Sequence, residues 1–271
     1  MAKEKVNVKE LGYYDFLAQV GISYFNWGGI KATEELVEMC QINEKKKILI
    51  VGCGSGYQAC HIAQKYGSKV VGIDIAEHMV KKAKERAEEF GLEGELEFRV
   101  GDALDIPFKD NTFDIVFTEF VTIFIDDKKK AFSEYARVVK PGGFVGINEI
   151  YREEDASPEV LEKLEGVTEL YERVTGLVFP ILTPSKWQSF FEDASLSNIE
   201  LRKHEPTQET SEMVSSVGGK WKFTKIAFKV LYYTMTRGKL GKDLRDVGRV
   251  KSRFRATREH VGYALCVGKK K

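Results

Sequence analysis

From residue 46 to 150, short apolar runs alternate with stretches in which apolar residues recur every three to four positions. Short runs bounded by turn residues suit buried strands and the 3.6-residue period suits amphipathic helices, so the alternation predicts βαβ units on a parallel sheet. Strands are expected at 47–51, 69–73, 96–100, 113–118 and 143–147. Between the second and third of these, Met79, Val80, Ala83, Ala87 and Phe90 share one helical face, lysines and glutamates occupy the others, and Gly91 is the stop. Ahead of the first strand, Ala32, Leu36, Val37 and Cys40 make a shorter stripe that is expected to pack on the sheet.

Past residue 150 the pattern loosens into expected helices at 159–175 and 185–194, a strand at 199–203 and a last β-like run at 261–267. The segment 206–259 interrupts two strands of one sheet, which makes it an insertion. The predicted organisation is an N-terminal helical lid (1–45), an α/β core (46–205), a basic helical insertion (206–259), and a final strand with its tail (260–271). The expected fold class is α/β, a doubly wound, mostly parallel sheet of seven strands.

Charge sharpens this division. The net charge is +1, but residues 151–175 carry three basic and eight acidic side chains, whereas residues 220–258 carry thirteen basic and two acidic ones, net +11. In the expected helix 221–235, Phe223, Ile226, Ala227, Val230 and Leu231 form one apolar stripe, Lys222, Lys225 and Lys229 another, and Trp221, Phe228 and Tyr232 a third line. This pattern suits a pocket lid with a solvated lysine face, peripheral contact of 220–258 with an anionic membrane, or contact with RNA phosphates.

No apolar run approaches the ~18 residues of a membrane span, and residues 1–10 lack the apolar core and cleavage site of a secretory signal, so cytoplasmic residence is the expectation. Cys40, Cys53, Cys60 and Cys266 have neither C-x-x-C spacing nor the density of a disulfide framework and read as reduced, mostly buried thiols. No metal site is expected. Nucleophilic-hydrolase, zincin and P-loop motifs are absent from the sequence.

The strongest chemical signal is Ile48-Leu49-Ile50-Val51-Gly52-Cys53-Gly54-Ser55-Gly56-Tyr57, a strand running into a G-x-G-x-G turn and then a helix. Glycines there let a cofactor approach the backbone. Asp74, at the end of the second strand, has the placement of an acid that accepts both ribose hydroxyls of a nucleoside. A dinucleotide fingerprint would put its third glycine at position 57, where Tyr57 stands, which argues against a nicotinamide oxidoreductase.

The chain resembles the Rossmann-like S-adenosylmethionine methyltransferases, in particular the small-molecule and lipid branch that includes ubiquinone and menaquinone biosynthesis enzymes. The likeness covers about 28–149. It rests on Val51–Gly56, Gly72-Ile73-Asp74-Ile75, Gly101-Asp102-Ala103, Phe113-Asp114-Ile115-Val116 and Arg137-Val138-Val139-Lys140-Pro141-Gly142-Gly143, in family order.

The resemblance implies S-adenosyl-L-methionine as cofactor, with S-adenosyl-L-homocysteine as product. It places the backbone of Gly52, Cys53, Gly54 and Gly56 beside the methionine moiety, Asp74 on the ribose, and Asp102 with the amide of Ala103 on the adenine. The lesser alternative for Asp102 is a loop cap, and Ile75 either packs on the adenine face or belongs to the core. Glu119 lies where the family contacts cofactor or substrate. The segment Tyr24-Phe25-Asn26-Trp27-Gly28-Gly29, with Tyr24 and Gly29 as contacts, reads as a lid over the cofactor or as a packed connector.

Methyl transfer by in-line displacement needs alignment and exclusion of water more than acid–base chemistry. Asn148, Glu149 and Tyr151 are expected at the carboxyl end of the fifth strand, and Glu149 is the candidate base or acceptor-positioning group. The expected acceptor is a small molecule or lipid-like compound. The alternatives are an RNA methyltransferase and a non-catalytic partner subunit; oligomeric state has no signature in the sequence.

Overall fold

The computed structural model describes residues 27–206, 214, 219–235 and 238–271, so Tyr24 and the proposed lid before Trp27 lie outside the described residues. The chain divides into two compact units, one built on the sheet and the other on helices.

The sheet unit holds β1 (Lys47–Val51), β2 (Lys69–Asp74), β3 (Leu96–Val100), β4 (Phe113–Glu119), β5 (Val139–Arg152), β6 (Leu196–His204) and β7 (Val261–Lys270). Their order is β3-β2-β1-β4-β5-β7-β6. β1 to β5 are parallel, and β7 runs antiparallel between β5 and β6. The expected seven-stranded, mostly parallel α/β sheet is the one observed.

Residues alternate across the sheet because successive side chains of a strand point to opposite faces. Ile48, Ile50 and Phe117 join one core cluster with Leu36 of α1 (Gly29–Met39), Ile62 of α2 (Tyr57–Tyr66) and Ala83 of α3 (Glu77–Phe90). The α1 stripe Ala32, Leu36, Val37 and Cys40 is buried, as its spacing predicts. On α3 the stripe is narrower than expected: Val80, Ala83 and Ala87 are buried, but Phe90, at the last turn, is exposed. Elsewhere in the unit, Phe132 of α4 (Lys128–Val138) stacks on Phe190 of α6 (Pro184–Asp193), and Trp187 donates its indole N–H to the Ile150 carbonyl at 2.9 Å. All four cysteines are free and buried.

β5 departs most from its expected length of 143–147. It begins at Val139, because Gly142 takes a φ of +78° and Gly143 leaves room where a Cβ would lie 2.4 Å from the Asp114 carbonyl oxygen. It continues to Arg152 because β7 pairs with it all the way, from Phe144↔Lys269 to Arg152↔Val261. Asn148, Glu149 and Tyr151 lie in the carboxyl-terminal part of this longer strand. β6 is likewise longer than 199–203, with an irregularity between Ser197 and Glu200 where Asn198 has a φ of +49°.

The second unit joins α5 (Pro158–Thr175) to α7 (Lys220–Thr234) and α8 (Lys239–Ala256). Residues Ser157–Phe179, placed in the core by the sequence reading, cluster here with the basic helices. α5 starts on Ser157, whose hydroxyl accepts from the Val160 amide, followed by Pro158 in the first turn. The acidic α5 packs on the basic α8, and Arg253 of α8 donates to the Gly166 carbonyl at 2.7 Å. No helix among the described residues is long and apolar enough to cross a membrane.

Candidate cofactor and acceptor site

β1 runs directly into the glycine turn, where Gly52, Gly54 and Gly56 have φ of +69°, +51° and +76°. L-residues with side chains adopt such values only with strain. A Cβ on Gly52 would lie 2.3 Å from Cγ2 of Val121, in the loop after β4. A Gly52→Ala substitution is therefore expected to cost about 1–3 kcal/mol in backbone strain alone, with a further loss as Val121 is pushed away. Thermal melting checks the stability loss, and titration calorimetry checks the expected weaker binding of the donor. A variant that melts and binds like the parent would show that the turn tolerates a side chain.

The ends of the first three strands are knit together. The Cys53 amide donates to the Ile73 carbonyl at 2.9 Å, and the Gly101 amide to the Asp74 carbonyl at 3.1 Å. The Asp74 carboxylate bridges the same segments: Oδ2 accepts from the Gly54 amide and Oδ1 from the Ala76 amide, each at 2.9 Å. Burial raises the pKa of Asp74, while these two amides and His78 pull it down. Each carboxylate oxygen carries two lone pairs, so both retain one for a ligand hydroxyl. Cys53 is buried and its thiol is held well above its ordinary pKa by that burial, so it offers backbone and not thiolate chemistry.

Ile75 is 74% exposed, which removes the core reading and leaves an apolar face presented beside the carboxylate. Asp102 is exposed after β3, and its Oδ1 accepts from the Leu104 amide at 2.9 Å, the loop-cap geometry weighed for it. That bond leaves acceptor capacity on the carboxylate, and Ala103 follows directly.

A residue that sequence reasoning left unassigned anchors this loop. The Arg137 guanidinium donates to the carbonyls of Ile106 (2.9 Å) and Phe108 (2.8 Å) and pairs with Glu134 (2.7 Å) and Asp110 (2.9 Å). Its contact with Glu134, above all, raises its pKa and lowers that of Glu134.

On the other side of β1, Glu119 is buried at the end of β4. It accepts from the Thr33 hydroxyl at 2.7 Å and from Asn148 Nδ2 at 2.9 Å, and Asn148 Nδ2 also lies 3.3 Å from the Trp27 carbonyl. Glu119 thus ties α1 to β5, a structural role beside the contact role the sequence suggested. Gly29 is buried with a φ of +57° where α1 begins; at neighbouring Gly28 a Cβ would meet the Tyr263 ring at 2.5 Å. After Glu119, Phe120 holds a left-handed φ of +54°, and its amide donates to the Asn148 carbonyl at 2.8 Å. A bulky residue in that region stores strain, and such strain concentrates at ligand sites.

Glu149 is fully buried under the next turn. Its Oε1 accepts from the amides of Thr122 (2.7 Å) and Val121 (3.2 Å), while Oε2 has no hydrogen-bond partner among the described residues. Burial pushes its carboxyl up to about 8, against the pull of the two amides and of Lys128. Glu149 thus caps the Val121–Thr122 backbone, and Val121 in turn packs over Gly52.

These elements converge at the carboxyl ends of the parallel strands, around the point between β1 and β4 where the strand order reverses, which is where open α/β sheets bind ligands. Asp74 suits a ribose, Ile75 and Asp102 suit a purine, and the glycine turn admits a ligand against main chain. Together they fit a nucleoside cofactor on the sheet order of the Rossmann-like methyltransferases.

Comparison with known proteins gives the family. Residues 49–147 match the family described as a methyltransferase domain. An uncharacterized protein of Haemophilus influenzae is 30% identical over 209 residues, 76% of this chain and 78% of that protein. Phosphoethanolamine N-methyltransferase 1 of Arabidopsis thaliana is 34% identical over 149 residues, which are 55% of this chain but only 30% of that enzyme. Among solved structures, phosphoethanolamine N-methyltransferase 2 of Haemonchus contortus, in complex with phosphomonomethylethanolamine and S-adenosylhomocysteine, superposes with a TM-score of 0.68 at 19% identity. That match covers 99% of this chain and 59% of the nematode chain. The chain belongs with the methyltransferases of this domain family, and it shares its fold with a phosphoethanolamine N-methyltransferase solved in complex with S-adenosylmethionine.

Proposed function

We propose that this methyltransferase acts on a small-molecule or lipid-like acceptor, with Gly52–Gly56, Asp74, Ile75, Asp102 and Ala103 holding the donor. The observation that carries the reading is the convergence of the left-handed glycine turn, the Asp74 carboxylate bonded to the Gly54 amide, and the exposed Ile75 at the ends of β1 and β2. Similarity to phosphoethanolamine N-methyltransferases over the donor-binding core supports a small acceptor and makes amines the first to be assayed.

When bound, S-adenosylmethionine supplies an electrophilic methyl group on a sulfonium, and the departing group is a neutral thioether. The chain's own contribution is alignment. The glycine turn fixes the backbone beside the donor's amino-acid part, and Asp74 fixes its sugar. Glu149 and Asn148 hold the Phe120–Thr122 turn against Gly52. Holding two reactants in line and keeping water out is sufficient to account for most of the acceleration of such a displacement.

The test is transfer of labelled methyl from S-adenosylmethionine to a cell extract fractionated into water-soluble metabolites, lipids and RNA, with D74A as control. Label in the metabolite or lipid fraction that disappears with D74A supports the reading. Label in RNA, or intact donor binding with no label anywhere, overturns it in favour of an RNA methyltransferase or a non-catalytic partner subunit, respectively.

A further inference from the structure

α7 turns its largest apolar side chains away from its own unit. Trp221 is 72% exposed, Phe228 69%, Leu231 56%, Tyr232 62% and Met235 78%. At 100° per residue these five fall within an arc of about 100°, so they form one continuous stripe along the helix. The inner side of α7 is a different set: Phe223, Ile226, Val230 and Tyr233 are partly buried, and α7 packs on α8. The sequence stripe that grouped Leu231 and Ala227 with Phe223 is therefore split, because Leu231 and Ala227 face outward. Single exposed apolar residues need no explanation, but five large ones in register on one helix mark an interaction surface.

The flank of the stripe says what it meets. Lys225, Lys229 and Lys222 follow on one edge, over about 60° of arc, and Lys225 Nζ lies 5.1 Å from the Trp221 ring centroid. α7 holds four lysines and no acid. On α8, by contrast, basic groups have partners inside the unit: Arg249 pairs with Asp246 and Arg253 with the Gly166 carbonyl. A helix of aromatic and aliphatic residues edged by lysines, with no acid along it, is complementary to a surface that is apolar below and anionic above. An RNA would use the lysines and leave Leu231 and Met235 in water. A second protein copy would bring the same unopposed positive charge to its own mirror.

We propose that α7 docks on an anionic lipid bilayer, with Trp221, Phe228, Leu231, Tyr232 and Met235 entering the headgroup region and Lys222, Lys225 and Lys229 on the anionic headgroups. This does not rest on the proposed acceptor, and its test needs no methyl transfer.

The full chain is sedimented with vesicles of phosphatidylcholine containing about 30% phosphatidylglycerol, or of phosphatidylcholine alone, at low salt. Pelleting is expected with the anionic vesicles and is expected to fall sharply at about 0.5 M salt, where screening is nearly complete. Each lysine near an anionic surface strengthens binding about fivefold, so K222E/K225E/K229E is expected to weaken the partition about a hundredfold or more. W221S/F228S is expected to weaken it at least about tenfold. Both variants alter exposed positions, so their thermal melting should match the parent. As a readout on the unaltered fold, adding anionic vesicles should blue-shift tryptophan emission, and W221F should abolish that shift.

Absence of pelleting and of the emission shift in the parent overturns the proposal. So does a W221S/F228S variant that pellets like the parent while the lysine variant does not and RNA retention follows the lysines, since the surface then reads polyanions. A parent that dimerises through this stripe, with W221S/F228S monomeric and neither binding vesicles, overturns it in favour of a second copy.

Discussion

Replacing Asp74 by alanine is expected to weaken binding of S-adenosylmethionine by about 10²–10⁴-fold. The magnitude follows from two charge-assisted hydrogen bonds to the ribose hydroxyls, each worth about 1.5–3 kcal/mol, removed together. The same substitution strips the Gly54 and Ala76 amides of their acceptor, so some loss comes from a loosened turn and not from the sugar contact. A cycle separates the two. Loss of both ribose hydroxyls from the donor should cost the parent the sugar contact alone, D74A should bind analogue and donor alike, and the difference between parent and D74A measured with the analogue is the share of the loosened turn. Titration calorimetry on the four combinations reads the coupling. If D74A kept the parent's affinity, or if the loss were identical with and without the hydroxyls, Asp74 would be a turn-capping residue and the donor site would have to lie elsewhere.

Asp74 was legible because a carboxylate at the end of the second strand, after a glycine turn on the first, is a pattern local to two adjacent βα units. The strands of the core were legible for the same reason: each is a short apolar run ending in turn residues. What the sequence hid depends on partners far along the chain. Nothing near Glu119 shows that Thr33, eighty-six residues earlier, and Asn148, twenty-nine later, bond to it. The extension of β5 to Arg152 is imposed by β7, whose pairing residues begin at Val261. Arg137 reads as one member of a strand-entry motif until its loop partners at 106–110 are in place.

α8 is a different kind of miss. Its buried Leu240, Leu244, Val247 and Val250 recur at helical spacing and were readable, but Gly241, Gly248 and seven basic residues masked the stripe. The exposure of Ile75 was unreadable from pattern, since an apolar residue after a buried strand looks like more core.

Above about pH 8 the E149Q variant is expected to be more stable than the parent, and the parent alone should lose stability steadily as pH rises toward that value. The cause is the burial of Glu149, which pushes its carboxyl up to about 8 in the folded chain, against about 4.3 when unfolded. Between those values the folded state keeps a proton that the unfolded state has released. Stability therefore falls with rising pH, by up to about 1.4 kcal/mol per unit, and levels off once the folded carboxyl has ionised. The groups facing it do not reverse the sign: Lys128 favours the ionised form but is outweighed by burial, and the Tyr135 phenol, bonded to Thr122, is itself raised above its ordinary value. Glutamine keeps an oxygen for the Thr122 and Val121 amides and has nothing to ionise, so its profile should lack this slope. Denaturant unfolding at about pH 5, 7 and 9 measures both slopes. Parallel profiles would mean that Glu149 is solvated or already ionised in the folded chain. Its role as a neutral strut beneath the Val121–Thr122 turn would then give way to that of a charged group available to an acceptor.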